Sequence, residues 1–455
     1  MFRLFHFHER CLRVSDYIMP LISTPTRKRL AKGAFWGGVA VVGARVITVA
    51  SSFALARILG QQSFGEYGIV NSTAGMIGSM AGLGIGQTVV KFVSELKLSD
   101  PERAGRILAL SSLVTWLSAA FYGMAFIVLA PWLAEKTLAA PHLSALLQIS
   151  AITVALGVMN SVQSCSLNGC ESFQVGSYVN VASGVIQSGL VVLGAWYWGL
   201  QGAIIAMAIG MIVTVLLTHL VVMREWQKFG LLLRWQDMWS EWRVLIHFSL
   251  PTFLIVLSLG PVTWATNAFL VNQPNGYAEM GVFNAAFQWQ AALQLLTGVI
   301  CTAMVPVMSE KCGEGNMLIS LRVMNSMLKG VLIITIPFAL ALCAVSPLIM
   351  RGYGVSFASG YWVMIMLVAT GAMTAILTPV ANYIMASGMM WTGFFINTGW
   401  VIAMLIGAWF FVRWGAEGLA GSRLLASLIH VGIVLSVFPR IAAKSFRKTL
   451  FCTES

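Results

Sequence analysis

Two arginines bound the chemistry open to this chain. Arg45 lies about twelve residues into an apolar stretch that begins near residue 33, a helix rise of roughly 18 Å. If that stretch crosses a membrane, Arg45 sits near its middle. Arg423 lies about six residues into the last such stretch. Inserting a guanidinium at that depth costs at least about 2.5–3.5 kcal/mol, so it must face a wet cavity or a partner. Its planar fork suits bidentate contact with phosphate oxygens. Pairing with the carbonyls of a neighbouring helix, or bridging two bundles, would satisfy it too. Arg57, Lys329 and Arg351 stand near stretch ends, where snorkelling explains them. His219, His247 and His430 also stand near ends and read as ordinary polar contacts rather than a proton relay.

The carboxylates are informative by position. Asp16, Asp100 and Asp237 lie outside the apolar stretches, and Glu66, Glu279 and Glu417 lie near their ends. Buried arginine without a central carboxylate suits an anion, not a cation. Glu66 and Glu279 are expected to cap helix starts, where an acidic group gains about 0.3–1 kcal/mol. Gln288, Trp289, Gln290 and Gln294 form the densest group of amides beside an aromatic ring. The seven cysteines show no CxxC pair or Cys/His metal spacing, so neither a metal nor a disulfide is expected. No Walker A pattern is present, which argues against direct ATP coupling, and no cofactor is expected. Gly82-x-Gly84-x-Gly86 falls in an apolar stretch and reads as close helix packing, not as a nucleotide loop.

The elements that must position these residues are helices in lipid. The chain has 455 residues, 58% hydrophobic and only 10% charged, against about 25% charged in soluble domains. Apolar runs of about 20 residues are the length of a helical crossing; their continuity excludes an alternating barrel pattern. Twelve spans are predicted, at 33–59, 66–88, 107–133, 143–165, 175–198, 202–223, 246–271, 280–307, 324–350, 361–386, 391–412 and 417–438. The connections are short, the longest about 22 residues, so no soluble catalytic domain fits. The net charge of +12 does not mark nucleic-acid binding, because the basic residues alternate between connections. Arg27, Lys28, Arg29 and Lys32; Lys91, Lys97, Arg103 and Arg106; Arg224, Lys228, Arg234 and Arg243; Lys311 and Arg322; and Arg440, Lys444, Arg447 and Lys448 share one side. By the positive-inside rule that side is cytoplasmic and holds both termini. Residues 1–32 read as a cytoplasmic arm rather than a signal peptide.

The two halves repeat. Glu66-Tyr67-Gly68-Ile69-Val70-Asn71 corresponds to Glu279-Met280-Gly281-Val282-Phe283-Asn284, and Val93-Ser94-Glu95 to Met308-Ser309-Glu310. Pro131 matches Pro347, Asn180 matches Asn397, and Gly199-Leu200-Gln201-Gly202 matches Gly415-Ala416-Glu417-Gly418. The offsets stay between 213 and 217 residues, so one register explains them all. The expected fold is an all-α membrane protein of about 12 transmembrane helices in two parallel-repeat six-helix bundles. The expected division is 1–32 arm, 33–223 first bundle, 224–245 linker, 246–438 second bundle and 439–455 cytoplasmic tail. Six crossings per half put the pseudo-twofold axis along the membrane normal, an arrangement in which halves rock around a central site.

Ala56-Arg57-Ile58-Leu59-Gly60, Phe64-Gly65-Glu66-Tyr67-Gly68, Gly82-Leu83-Gly84-Ile85-Gly86 and Lys91-Phe92-Val93-Ser94-Glu95 carry a family resemblance. Over about residues 40–110 the chain resembles the polysaccharide transporter branch, which includes O-antigen flippases, of the multidrug/oligosaccharidyl-lipid/polysaccharide exporter superfamily. The resemblance implies an inner-membrane flippase, not an enzyme, moving an undecaprenyl-diphosphate-linked oligosaccharide to the periplasmic leaflet. Such a protein serves O-antigen or exopolysaccharide synthesis, with membrane lipids and other polysaccharide assembly proteins as partners. Arg45 then becomes a candidate diphosphate contact and Arg423 a second one, with Gln288, Trp289, Gln290 and Gln294 the candidate sugar contacts. Related flippases often carry another arginine six residues after the first, where this chain has Ser51. Two other readings stay open: a cation-coupled multidrug exporter of the same superfamily, and a membrane glycosyltransferase or polysaccharide polymerase.

Overall fold

The computed structural model describes residues 25–243, 260–313, 317–387 and 389–452. Among them the chain is helical nearly throughout: α1 Pro25–Ala81, α2 Ile85–Leu96, α3 Pro101–Trp132, α4 Ser144–Gly169, α5 Phe173–Lys228, α6 over 260–271, α7 Gly276–Gly313, α8 Met317–Tyr353, α9 Tyr361–Ala386, α10 Met390–Phe411 and α11 Gly415–Cys452. Two of these hold two crossings each. At 1.5 Å per residue α1 and α5 would each run about 85 Å, far beyond a bilayer core of about 30 Å, so each must fold back. α1 breaks at Gly60 (φ 75°, ψ 176°) and α5 at Gly199 (φ 57°, ψ −139°). Both need a residue without a Cβ. With these breaks every predicted span has a helix; the seventh is covered over 260–271 only, and its remainder lies outside the described residues.

The breaks bear on the repeat. Gly415, the counterpart of Gly199, has φ 65° and ψ −143°, the same unusual conformation. A Cβ on Gly202 would lie 2.8 Å from the carbonyl carbon of Gly194, and one on Gly418 would lie 2.7 Å from that of Phe411. Corresponding glycines thus turn the chain and let the two arms touch in both halves.

Near the basic end of the first half the structure departs from the expected spans. The second crossing ends at Ala81, not residue 88, and Leu83 (φ 46°) and Gly84 (φ 68°) carry the chain into α2. α2 buries Ile85, Val89 and Val93 along one face. The Gly82-x-Gly84-x-Gly86 run is therefore mainly a helix break. Only Gly86 is a packing glycine, its Cβ position 2.7 Å from Cys165 Sγ. α3 starts where Asp100 accepts a 3.0 Å hydrogen bond from the Arg103 amide and Pro101 opens the first turn.

Seven described helices are long and apolar enough to cross a membrane. Large apolar side chains such as Phe121, Leu340 and Ile333 stand 65–72% exposed on them, as a lipid-facing surface requires. Inside, the core is unevenly shared. One cluster joins the halves near the Glu66–Glu279 end, through Phe64, Ile69, Phe283, Val282 and Tyr353. At the basic end each half has its own cluster, around Val89, Leu108 and Leu231 in the first and Met308, Met327 and Tyr383 in the second. The halves are fastened at one end and hold separate cores at the other.

Candidate functional site

The fastening is built on glycine. Where α1 crosses α7, a Cβ on Gly65 would lie 2.8 Å from the Gly281 amide nitrogen, and one on Gly281 3.1 Å from the carbonyl carbon of Gln61. Gly68 lies against the Asn284 amide. Trp264 Nε1 donates to Thr73 Oγ1 at 2.9 Å, and Asn267 Nδ2 to Ser72 Oγ at 3.0 Å. The expected caps behave unequally. Glu279 Oε2 accepts from the Ala416 amide at 2.9 Å, so it caps α11 rather than its own helix. Glu66 is buried and instead meets His142 Nε2 and Gln62 Nε2, each at 3.3 Å.

Arg45 and Arg423 both come to α7. Arg45 reaches from the first crossing and donates from Nη2 to the Gln288 carbonyl oxygen, while its Nε is buried without a partner. The first crossing is held there by Ser52 Oγ, 2.9 Å from Tyr353 OH, by Phe53 stacked on Tyr353 at 4.0 Å, and by Arg57 Nε donating to the Gly352 carbonyl at 2.7 Å. Arg423 reaches from α11 and is 6% exposed. Its guanidinium carbon stands 4.6 Å from the Phe283 ring centre and 5.6 Å from that of Phe287. Its Nη2 donates to Asn267 Oδ1 at 3.0 Å, and its Nε has no partner. Phe283 and Phe287 are one turn apart, so Arg423 sits on a two-ring face of α7.

Neither arginine meets a carboxylate among the described residues. The ion pairs among the described residues are Lys97–Glu171, Arg103–Glu241, Arg106–Glu241, His142–Glu66, Lys228–Glu225 and Arg234–Glu102, all near helix ends. Two uncompensated cations therefore stand against one helix inside the membrane-spanning body. Carbonyl, amide and ring contacts satisfy them in part and leave both Nε–H groups unused. Such an arrangement has the chemistry to accept an anion.

The polar group on α7 is dispersed by the helix itself. Successive residues turn by about 100°, so Gln288, Trp289 and Gln290 point three ways. Gln288 offers its carbonyl to Arg45, and Trp289 sets its indole edge-on to Phe53 at 6.2 Å. Gln290 is buried against α9, its Cγ 2.9 Å from the Cβ position of Gly371. Gln294, one turn further along that side, is half-buried and accepts from Thr297 Oγ1 through its carbonyl at 2.9 Å. The structure thus brings Arg45 to the Gln288 backbone carbonyl and Trp289 to Phe53 of the same first crossing, sets Arg423 about one turn away, and turns Gln290 towards α9. Asn267 and the Phe283–Phe287 pair complete the site; the i, i+4 spacing of the rings was the signal available for them. His219 bonds Gln163 at 3.3 Å, and His430 lies beside Trp400; His247 lies outside the described residues. Cys165, Cys170, Cys301 and Cys343 are free thiols.

Comparison with known proteins agrees with this architecture. The family described as polysaccharide biosynthesis protein matches residues 30–311. The chain is 23% identical over 319 residues to the EPS I polysaccharide export inner membrane protein EpsE of Ralstonia solanacearum, covering 67% of this chain and 69% of that one. The EpsE of Ralstonia nicotianae is 22% identical over 199 residues, and the chain spans only 46% of its length. Among solved structures, an inward-facing multidrug resistance MATE family transporter of the MOP superfamily superposes with a TM-score of 0.71 at 15% identity, covering 88% of this chain and 95% of that one. The lipid II flippase MurJ, inward closed, superposes with a TM-score of 0.69 at 17% identity, covering 91% of each chain. The structural likenesses establish the twelve-helix membrane fold, and the family match bears out the resemblance carried by the first two spans. The chain belongs to the polysaccharide biosynthesis protein family.

Proposed function

We propose that this protein is an inner-membrane flippase that carries an undecaprenyl-diphosphate-linked oligosaccharide from the cytoplasmic to the periplasmic leaflet, for exopolysaccharide or O-antigen assembly. One observation carries the reading: Arg45 and Arg423 approach the same helix from opposite halves, and neither has a carboxylate. A diphosphate supplies the missing negative charge and enough oxygens to engage both guanidiniums. It competes with the Gln288 carbonyl for Arg45 and reaches the unused Nε–H of Arg423, while Gln288 and Trp289 stand where the first sugar would pass. Asp and Glu occur only towards span ends or in connections, which disfavours a cationic cargo.

Where the halves join supports that direction. The halves, 33–223 and 246–438, act as rocking units, with the basic connections on the cytoplasmic side. The shared core and the glycine crossing then close the periplasmic end, and the separate cores leave the cytoplasmic end to part. Substrate enters from the cytoplasmic leaflet, the halves rock, and the Gly65–Gly281 contact opens to release it. The test is deletion of the gene. The expected result is loss of the surface glycan with its lipid-linked repeat unit trapped on the cytoplasmic face. Normal glycan with no trapped intermediate, in a strain without a second homologue, would sink the reading.

A further inference from the structure

Inside the first half lies a chamber of about 500 Å³ that neither arginine lines. The second crossing, α2, α4 and α5 wall it, and Asn71, Gln87, Thr153, Ser161 and Gln187 line it. No charged side chain lines it. Asn71, Gln87, Ser161 and Gln187 make no side-chain hydrogen bond to any described residue. Three amides and a hydroxyl without partners are costly in a membrane-spanning body unless water or a polar ligand meets them. Their convergence on one chamber places that water or ligand there. Because the chamber is uncharged, the ligand that suits it is neutral, rich in donors and acceptors, and small enough for a cavity of this size.

The chamber is linked to Arg423 through a second cavity and two hydrogen bonds. A second cavity of about 330 Å³ lies between the halves and shares Gly75 and Ser79 with the first. It is bounded by Ser72 and Trp264. Ser72 carries the hydrogen bond from Asn267, which holds Arg423. The connection is kept open by Gly75 and Gly78, whose Cβ positions have nothing within 4 Å. Met207, Met211 and Val154 add apolar wall, of the kind the C–H faces of a sugar ring pack against.

We propose that this first-half chamber is the glycan subsite: it receives uncharged sugar units of the cargo while the two arginines hold the diphosphate. The proposal rests on the flippase reading and adds to it an enclosed subsite for sugar units beyond the first and a selection against acidic sugars. Asn71 and Gln187 are the specificity-determining residues, hydrogen-bonding sugar hydroxyls from two different helices. Since neither bonds the protein, replacing them with apolar residues of similar size leaves the fold intact.

The experiment is calorimetric titration of the purified full-length protein in detergent with three probes. One is the repeat-unit oligosaccharide freed by mild acid from the lipid-linked intermediate of a deletion strain; the others are inorganic pyrophosphate and undecaprenyl phosphate. The Asn71→Leu/Gln187→Leu double variant is expected to bind the oligosaccharide at least about tenfold more weakly, through lost hydrogen bonds, with pyrophosphate affinity unchanged. Arg45→Ala is expected to show the converse. Wild-type oligosaccharide affinity in the double variant overturns the subsite and leaves the flippase reading standing. Tighter undecaprenyl phosphate binding by the double variant also overturns it, by assigning the chamber to the lipid tail. Failure of the wild-type protein to bind any of the three probes overturns the flippase reading and the subsite with it.

Discussion

Adding one methyl group at Gly65 tests whether the glycine crossing is a gate. The Cβ of Gly65→Ala would lie 2.8 Å from the Gly281 nitrogen and 2.9 Å from the Tyr277 carbonyl carbon, and nearer still to the Tyr277 oxygen. Carbon contacts settle at about 3.5–4.0 Å, so α1 and α7 must part by at least about half an ångström, and more at the oxygen. Both partners are backbone, which no rotamer change can move. Parting strains the neighbouring Trp264–Thr73 and Asn267–Ser72 bonds, of 2.9 and 3.0 Å. Overpacking of this kind costs about 1–3 kcal/mol. The cost falls on the gate-closed state alone, so the balance shifts towards the open state by roughly 5–150-fold. The assay is labelling of a cysteine placed at Asn284, which faces Gly68 across this contact, by a membrane-impermeant maleimide applied from the periplasmic side. Labelling should accelerate within that range, and glycan export should fall, at unchanged expression. Gly189→Ala, where a Cβ meets nothing within 4 Å, is the control. Unchanged labelling and full export in Gly65→Ala would show that these helices do not form a gate.

Three further substitutions separate charge from packing. Arg45→Ala should abolish complementation of a deletion strain and Arg45→Lys should restore part of it, because lysine keeps the charge and loses the bidentate fork; full activity of both would remove Arg45 from the site. Arg423→Met should leave thermal stability unchanged or raised, since removing an uncompensated buried cation relieves desolvation, yet should impair export; a folded, fully active variant would contradict its role. Glu279→Ala removes the acceptor for the Ala416 amide and should cost about 1 kcal/mol, as lost helix caps do, read as a lower unfolding temperature in detergent. An unaltered unfolding temperature would mean that water replaces the carboxylate.

Particular residues show how far local pattern reaches. The spans were legible because twelve apolar runs have no other stable home, and Gly199 and Gly415 announced their shared turn by occupying one register. Arg45 was legible by depth alone. The Gly82–Gly84 break was not, because glycine in an apolar run serves packing and helix termination equally well. The amide group on α7 misled by adjacency: Gln288, Trp289 and Gln290 are neighbours in sequence, and helical geometry sends neighbours to different faces. The chain from Ser72 through Asn267 to Arg423 joins residues 195 and 156 positions apart, and no local pattern encodes such pairings. The first-half chamber was not legible for a related reason. Asn71, Gln87, Ser161 and Gln187 come from separate helices, and their lack of partners is a property of the assembled bundle.

Two arginines without carboxylates are proposed to carry a lipid-linked diphosphate across the bilayer. The direct measurement is reconstitution of the purified protein into liposomes containing the undecaprenyl-diphosphate-linked oligosaccharide from a deletion strain, following glycan protection from an impermeant oxidant over time. Exchange between leaflets is expected with the wild-type protein, and none above protein-free liposomes with Arg45→Ala. Absence of exchange with folded wild-type protein, or equal exchange with Arg45→Ala, would contradict it.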